Sequence, residues 1–166
     1  MKYRWIALAL LPLALAAQAD VTVNFVNPEK FSDIRDNTGF SNQAVLKDIE
    51  AYLTAQLDKR LPGREVRVAV TDVNLAGEVE PVGRMGQQLR VMRTVTPPSM
   101  VLSYEIREAG QPTRQGASTL RLIDYQNDIS IASSSDPLRY EKRMLDRWMD
   151  REFGPAVSAG AASAGR

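Results

Sequence analysis

The segment "SMVLSYEIRE", residues 99–108, restricts the fold more than any other. Met100, Leu102, Tyr104 and Ile106 alternate with Ser103, Glu105 and Arg107. A period of two puts these sets on opposite faces of an extended chain, so a sheet containing this strand has one apolar face and one wet face. After a turn at Ala109-Gly110 and Pro112, "QGASTLRLI" (115–123) reads as the hairpin partner, with Leu120 and Leu122 inward. "REVRVAV" (64–70) repeats the pattern, with Val66, Val68 and Val70 on one side and Arg67 and Thr71 on the other. "VTVNFV" (21–26) reads as a strand ended by Asn27-Pro28, and residues 29–40, with Gly39, read as a loop. "LRVMRTV" (89–95) is a strand closed by Pro97-Pro98. "PVGRMGQQ" (81–88) reads as an exposed Gly-rich link, and a short strand is expected at 129–132.

Two segments switch to a helical period. Val45, Leu46, Ile49, Tyr52, Leu53 and Leu57 form one stripe, with Ser41 or Asn42 as cap and Pro62-Gly63 as terminator. Near the C-terminus, Asp136 reads as N-cap, Pro137 as first helical residue and Gly154-Pro155 as the stop. Leu138, Met144, Leu145, Trp148, Met149 and Phe153 supply its apolar arc. Glu141 projects into that arc, which predicts that it reaches a sheet-edge donor or an arginine. The expected fold is α+β: a two-layer sandwich, a mainly antiparallel sheet of four to five strands with two helices on one face.

The first nineteen residues read as an export signal. Lys2 and Arg4 precede an apolar run, Trp5 to Ala17, and Ala17-Gln18-Ala19 is a small-x-small cleavage pattern. Cleavage after Ala19 is expected, leaving one α+β domain over 20–153 and a disordered Ala/Ser/Gly tail over 154–166. The apolar run is shorter than the ~17–25 residues that span a bilayer, so no membrane span is expected after cleavage. The expected address is the periplasm.

Composition excludes much chemistry. Histidine and cysteine are both absent, which removes the commonest general base, the commonest zinc ligand, disulfides and thiolate nucleophiles. Losing Lys2 and Arg4 moves the formal net charge from +1 to −1, a balance that gives no reason to bind nucleic acid. "GFSNQ" (39–43) and "GASTL" (116–120) lack the last glycine of a nucleophile elbow, and no phosphate loop or dinucleotide fingerprint occurs. No catalytic residue, cofactor or metal ligand is assigned.

"TDVNLAGEVEP" (71–81) crowds three carboxylates and an amide around Gly77. As a calcium loop from Asp72 it has Asn74 third and Gly77 sixth, but Ala76 fifth and Gly83 twelfth, where a bidentate glutamate belongs. As a hydrolytic site, Asp72 and Glu78 would have to meet Asp33 or Asp36 at a cleft. The preferred reading is structural: Asp72 or Asn74 bonds nearby backbone, Leu75 plugs the core and Gly77 takes a left-handed conformation. Arg139, Arg143, Arg147 and Arg151 make a basic stripe, read as a solvated face paired with Asp146 and Asp150, with anionic lipid or an acidic partner as the functional reading. Arg67, Ser103, Glu105, Arg107, Thr119 and Arg121 are expected on the wet sheet face.

The export signal with "VTVNFVNPEKFSDIRD", "TDVNLAGE", "RVMRTVTPPSMVLSYEI" and "LRYEKRMLDRW" resembles the exported Gram-negative bacterial family catalogued as domain of unknown function 3016. The resemblance covers nearly all of the expected mature chain. It implies one exported domain and a periplasmic address, and brings no ligand or catalytic residues. The function expected is a non-catalytic binding or interaction module of the cell envelope, with an envelope protein or glycan as partner. Asp72, Asn74, Glu78, Arg67, Arg107 and Arg121 are the candidate binding residues. The alternatives are a carboxylate-dependent hydrolase of an envelope polymer and a weak divalent-metal binder.

Overall fold

A computed structural model describes residues 19–36 and 42–156. The expected signal segment up to residue 18 and the tail beyond residue 156 lie outside the described residues. The described elements run β1 (Asp20–Phe25), α1 (Gln43–Arg60), β2 (Glu65–Asn74), β3 (Glu78–Val82), β4 (Gln87–Val91), β5 (Ser99–Arg107), β6 (Arg114–Arg121) and α2 (Arg139–Phe153), with short 3-10 turns at Pro28–Lys30 and Tyr125–Asn127. The order across the main sheet is β1-β2-β5-β6, and β3 and β4 form a separate hairpin. The pair β5–β6 is antiparallel, as expected of "SMVLSYEIRE" and its return strand, and β2 joins the other side of β5, also antiparallel. β1 joins β2 in parallel, so the sheet is mixed. Parallel neighbours need a crossover, and α1 supplies it.

The apolar periodicities meet in one core. Val66, Val68, Val70, Met100, Leu102 and Leu120 are almost wholly buried, as are Ile49, Leu53 and Leu57 of α1 and Leu145, Trp148 and Met149 of α2. Both helices cover this face, as predicted. Asn42 caps α1, its Oδ1 accepting from the Ala44 N–H at 2.8 Å. α2 starts at Arg139, two residues later than the Pro137 expected from the sequence. Asp136 is not its N-cap; its Oδ1 accepts from the Leu138 N–H at 2.8 Å, and its carbonyl from the Arg139 N–H at 3.2 Å, forming a preceding turn.

Three local expectations need correction. β2 continues through Thr71–Asn74, into the stretch read as a turn. Between Val70 and Asp72 the register slips by one, so Thr71 is bulged out and Val73 returns to the core, fully buried. Second, 81–88 is no open link, since Pro81 and Val82 close β3 and Gln87 opens β4 across a turn at Gly83–Gly86. Correspondingly, the strand expected over 89–95 stops at Val91. Third, 129–132 forms turns instead of a strand, and Ile129 is left 90% exposed.

The charged side chains of α2 also pair differently from expectation. Asp146 accepts from the Tyr52 hydroxyl at 2.8 Å and Asp150 from Arg60 at 2.7 Å, both on α1. Arg143 and Arg147 both donate to Oδ2 of Asp128, at 2.9 Å each, anchoring the 124–135 connection. Ion pairs here tie elements together and do not run along the helix. The Ser130 hydroxyl and the Arg143 guanidinium hold the Asp128 carboxyl at about 2, below its ordinary 3.8. A folded-state value below the unfolded one contributes stability that is present above pH ~4 and lost as pH falls toward 2. Asp128→Asn is expected to cost about 1–2 kcal/mol at pH 6 and to flatten this acid limb in urea unfolding. An unchanged acid limb would remove Asp128 as its source.

Candidate functional site

Three segments distant in sequence converge where the N-terminal ends of both helices approach the base of the β3–β4 hairpin. Leu75 and Ala76, just after β2, make the floor, and Arg90 and Met92 come from β4 and its exit. α1 brings Val45 and Asp48, α2 brings Arg139 and Glu141 with Leu138 just before it, and the loop before α1 adds Arg35 and Asp36. Together they line a cleft of about 400 Å³. Clefts of this size, apolar with a few converging polar groups, are where small ligands bind.

Glu141 occupies the closed side and is 2% exposed. Its Oε1 accepts from the Ala76 N–H at 2.7 Å, which bears out the expectation that it reaches a donor beside the sheet. Its Oε2 has no hydrogen-bond partner among the protein groups. Burial pushes the Glu141 carboxyl above its ordinary value, against the Ala76 N–H and the charges of Arg90 and Arg139, which favour the anion.

Arg90 acts as a clasp behind the cleft. Its side chain is 6% exposed and pairs with Asp33 at 2.7 Å. It also donates to the carbonyls of Gly77 at 3.1 Å, Ala76 at 3.4 Å and Arg35. Arg139 stacks over the Tyr140 ring at 4.3 Å and donates to the Tyr140 hydroxyl and the Asp136 carbonyl. The Nε of Arg90 and that of Arg139 are buried without a protein partner. Arg35 is exposed; its backbone N–H donates to the Asp33 carboxylate at 2.9 Å and its carbonyl accepts from Arg90. The acids of the cleft are engaged: Asp48 pairs with Lys142 at 2.9 Å, and Asp36 accepts from Asn42 at 3.0 Å.

The candidates named from sequence lie elsewhere. Asp72 accepts from the Ser32 N–H at 2.7 Å and the Ser32 hydroxyl at 2.8 Å, so it ties β2 to a loop forty residues away and not to nearby backbone. Asn74 ends β2 opposite Ser99 and bridges to Asp33 along the backbone. Glu78 is exposed at the start of β3. Asp72, Asn74 and Glu78 therefore do not line the cleft, and the Asp33 carboxylate, which the hydrolase alternative needed beside Asp72 and Glu78, is held by Arg90. Loop 31–36 does reach the end of β2, but each of Asp33 and Asp72 is held by a donor of its own. No group of three or more acids placed to hold a metal ion occurs among the described residues. Two details of the preferred reading stand: Leu75 is 3% exposed, and Gly77 has φ +75°.

Arg67, Arg107 and Arg121 are on the wet face as predicted. In the register Glu65 faces Arg107 and Arg67 faces Glu105. The ion pairs close along each strand, Arg67 to Glu65 at 2.6 Å and Arg107 to Glu105 at 2.5 Å. Exposed pairs of this kind contribute little to stability. Arg121 sits beside Arg147 and Arg151 at the edge of β6.

Of the polar cleft residues, Glu141 alone is marked as out of place in its sequence pattern, an acid inside an apolar arc; Arg139 reads only as part of a basic stripe and Asp36 only as a partner for Asp72 and Glu78. Arg90 carries no such mark, because Asp33 and the Arg35 carbonyl lie 57 and 55 residues away. A model of the family described as protein of unknown function (DUF3016) matches residues 19–151. No curated protein and no solved structure matches the chain.

Proposed function

The chain belongs to the DUF3016 family, whose function is unknown, and on that premise we propose that it is a non-catalytic binding module of the bacterial cell envelope. Its ligand sits in the cleft over Leu75 and Ala76. The observation that carries this reading is the buried Glu141, whose Oε2 is left without a protein partner at the wall of a 400 Å³ cleft. An unpaired buried polar group costs stability, about 1–3 kcal/mol, and is retained where binding makes use of it. Absence of histidine and cysteine argues for binding over catalysis.

Export belongs to the same proposal. The leader is removed after Ala19 and the folded unit begins at Asp20, the residue at which β1 starts. In support, no helix among the described residues is long and apolar enough to cross a membrane. Mass spectrometry of the protein from a periplasmic fraction is expected to find Asp20 at the N-terminus; a chain retaining Met1 there would remove the export reading.

The binding reading is tested with Ala44→Trp. Ala44 is exposed in the first turn of α1 and borders the cleft, so an indole there fills it and leaves the core intact. Saturation-transfer NMR of the wild-type protein against small molecules extracted from envelopes is expected to give signals that Ala44→Trp abolishes. Signals equal in both proteins would place binding elsewhere, and no signals in either would end this reading.

A further inference from the structure

We infer that the free edge of β6, with the arginine stripe of α2 beside it, receives an extended acidic segment of a partner protein, which joins the main sheet as a fifth strand. No residue of this surface lines the cleft, so the inference stands apart from the reading above. β6 ends the order β1-β2-β5-β6. It pairs with β5 on one side, and among the described residues no backbone group of Arg114–Arg121 bonds to anything else. A row of unpaired N–H and C=O groups is a template for another strand. No proline interrupts it, and Gly116, Ala117 and Ser118 at its middle keep the approach clear of long side chains.

α2 passes beside that edge. At one end of β6, Arg114 donates to the Glu152 carbonyl at 2.7 Å; at the other, Arg121 shares a groove with Arg147 and Arg151. The cations here are Arg114, Arg121, Arg143, Arg147 and Arg151, and the anions are Asp124, Asp128 and Glu152. Arg114 meets Glu152 at 2.9 Å, and Arg143 and Arg147 share Asp128. Asp146 and Asp150 are turned to α1, and Glu105 is closed by Arg107. Arg121 and Arg151 are exposed and make no ion pair among the described residues. Five arginines against three carboxylates leave a surplus of two positive charges along the edge, with Asp124 counted. An acidic strand is drawn to such a rim. The groove at the Arg121 end, about 210 Å³, is lined by Leu120, Leu122, Met144 and the 64% exposed Ile123, with room for one aliphatic side chain of the partner. A second copy of this chain is a poor occupant, because β6 paired with itself about a two-fold sets Arg114 opposite Arg121 and doubles the surplus.

The test uses the full mature chain and four probes: a peptide matching β6 in length in which glutamate alternates with valine, the same peptide with lysine for glutamate, the glutamate peptide with a central proline, and vesicles of phosphatidylglycerol. Binding is read by NMR from the backbone amides of β6 and from their hydrogen exchange. The glutamate peptide is expected to shift these amides in a saturable way, to slow exchange of those facing away from β5, and to bind more weakly as salt is added. The lysine and proline peptides are expected to bind at least tenfold more weakly. Arg121→Glu and Arg151→Glu, at exposed positions without ion pairs, are each expected to weaken the glutamate peptide about tenfold. Ala44→Trp is expected to bind it as wild type does, which separates this surface from the cleft. If the lysine peptide binds as tightly as the glutamate peptide, the charge argument is wrong. If the proline peptide does, charge alone makes the contact and no strand is added. If vesicles perturb β6 and the glutamate peptide does not, the stripe faces lipid and the inference fails. If no probe moves the β6 amides, the edge is not a docking surface.

Discussion

Gly77→Ala is expected to destabilise the protein by about 3 kcal/mol, roughly 10 °C in Tm for a chain of this size. Two separate costs meet at this residue. Its φ of +75° lies in the left-handed region, which costs an L side chain about 1–2 kcal/mol. A Cβ built there would also lie 2.5 Å from the Val91 carbonyl oxygen and 2.9 Å from the Met92 sulfur. The sulfur ends a flexible side chain and can move. The carbonyl belongs to β4, so relieving the clash means shifting the strand. The Gly77 N–H also donates to the Thr96 carbonyl at 3.0 Å, which pins the backbone on its other side. Gly83→Ala separates the two costs, because Gly83 has φ +74° with nothing within 4 Å of its Cβ position. Its expected cost is about 1 kcal/mol. Equal losses at the two glycines in thermal unfolding would mean that the approach to Val91 plays no part. The larger loss at Gly77 should come with weaker binding in the cleft, since Met92 lies directly behind it.

Glu141→Gln is expected to leave stability unchanged near pH 4 and to make the protein more stable than wild type by about 1–3 kcal/mol at pH 8. The sign follows from burial. The folded-state carboxyl titrates above its ordinary 4.5. A group raised in the folded state contributes fully below its unfolded value, and that contribution is lost as pH rises through the folded value. Wild type therefore loses stability as pH rises above about 4.5, whereas glutamine stays neutral and still offers an oxygen to the Ala76 N–H. Glu141→Ala removes that oxygen, strands a buried N–H and opens a void; it should cost about 2–3 kcal/mol even at pH 4. Urea unfolding between pH 4 and 8 reads these differences, and the contribution of Asp128 cancels because every protein compared carries it. Parallel pH profiles for wild type and Glu141→Gln would show that Glu141 ionises freely in the fold. A Glu141→Ala protein as stable as wild type would show that the bond to Ala76 contributes nothing.

Sequence periodicity determined the two-layer α+β plan. Met100, Leu102, Tyr104 and Ile106 must share a face, and so must Val45, Ile49, Leu53 and Leu57; burying both faces together leaves few architectures. The same reasoning marked Glu141 as out of place and Gly77 as left-handed, since each is a local statement about one residue in a repeating pattern. Periodicity failed where the pattern itself breaks. The bulge at Thr71 shifts the alternation by one residue, so β2 looked finished at Val70 and Asp72 looked like part of a turn. The β3–β4 hairpin is exposed over most of its length, so no apolar alternation marked β3, and β4 is legible only from Leu89 onward.

Tertiary structure alone decided the site. The carboxylates that cluster at 71–81 point to separate partners, Asp72 to Ser32 and Glu80 to Arg93. The cleft is assembled from Arg35 of the loop before α1, Arg90 of β4, and Arg139 and Glu141 of α2, three segments far apart in the chain. Hydrophobic patterning carries information over two to four residues, because those are the repeats of a strand and a helix. A buried ion pair or an unpaired carboxyl depends on groups tens of residues apart, and only the packed chain brings them within 3 Å of one another.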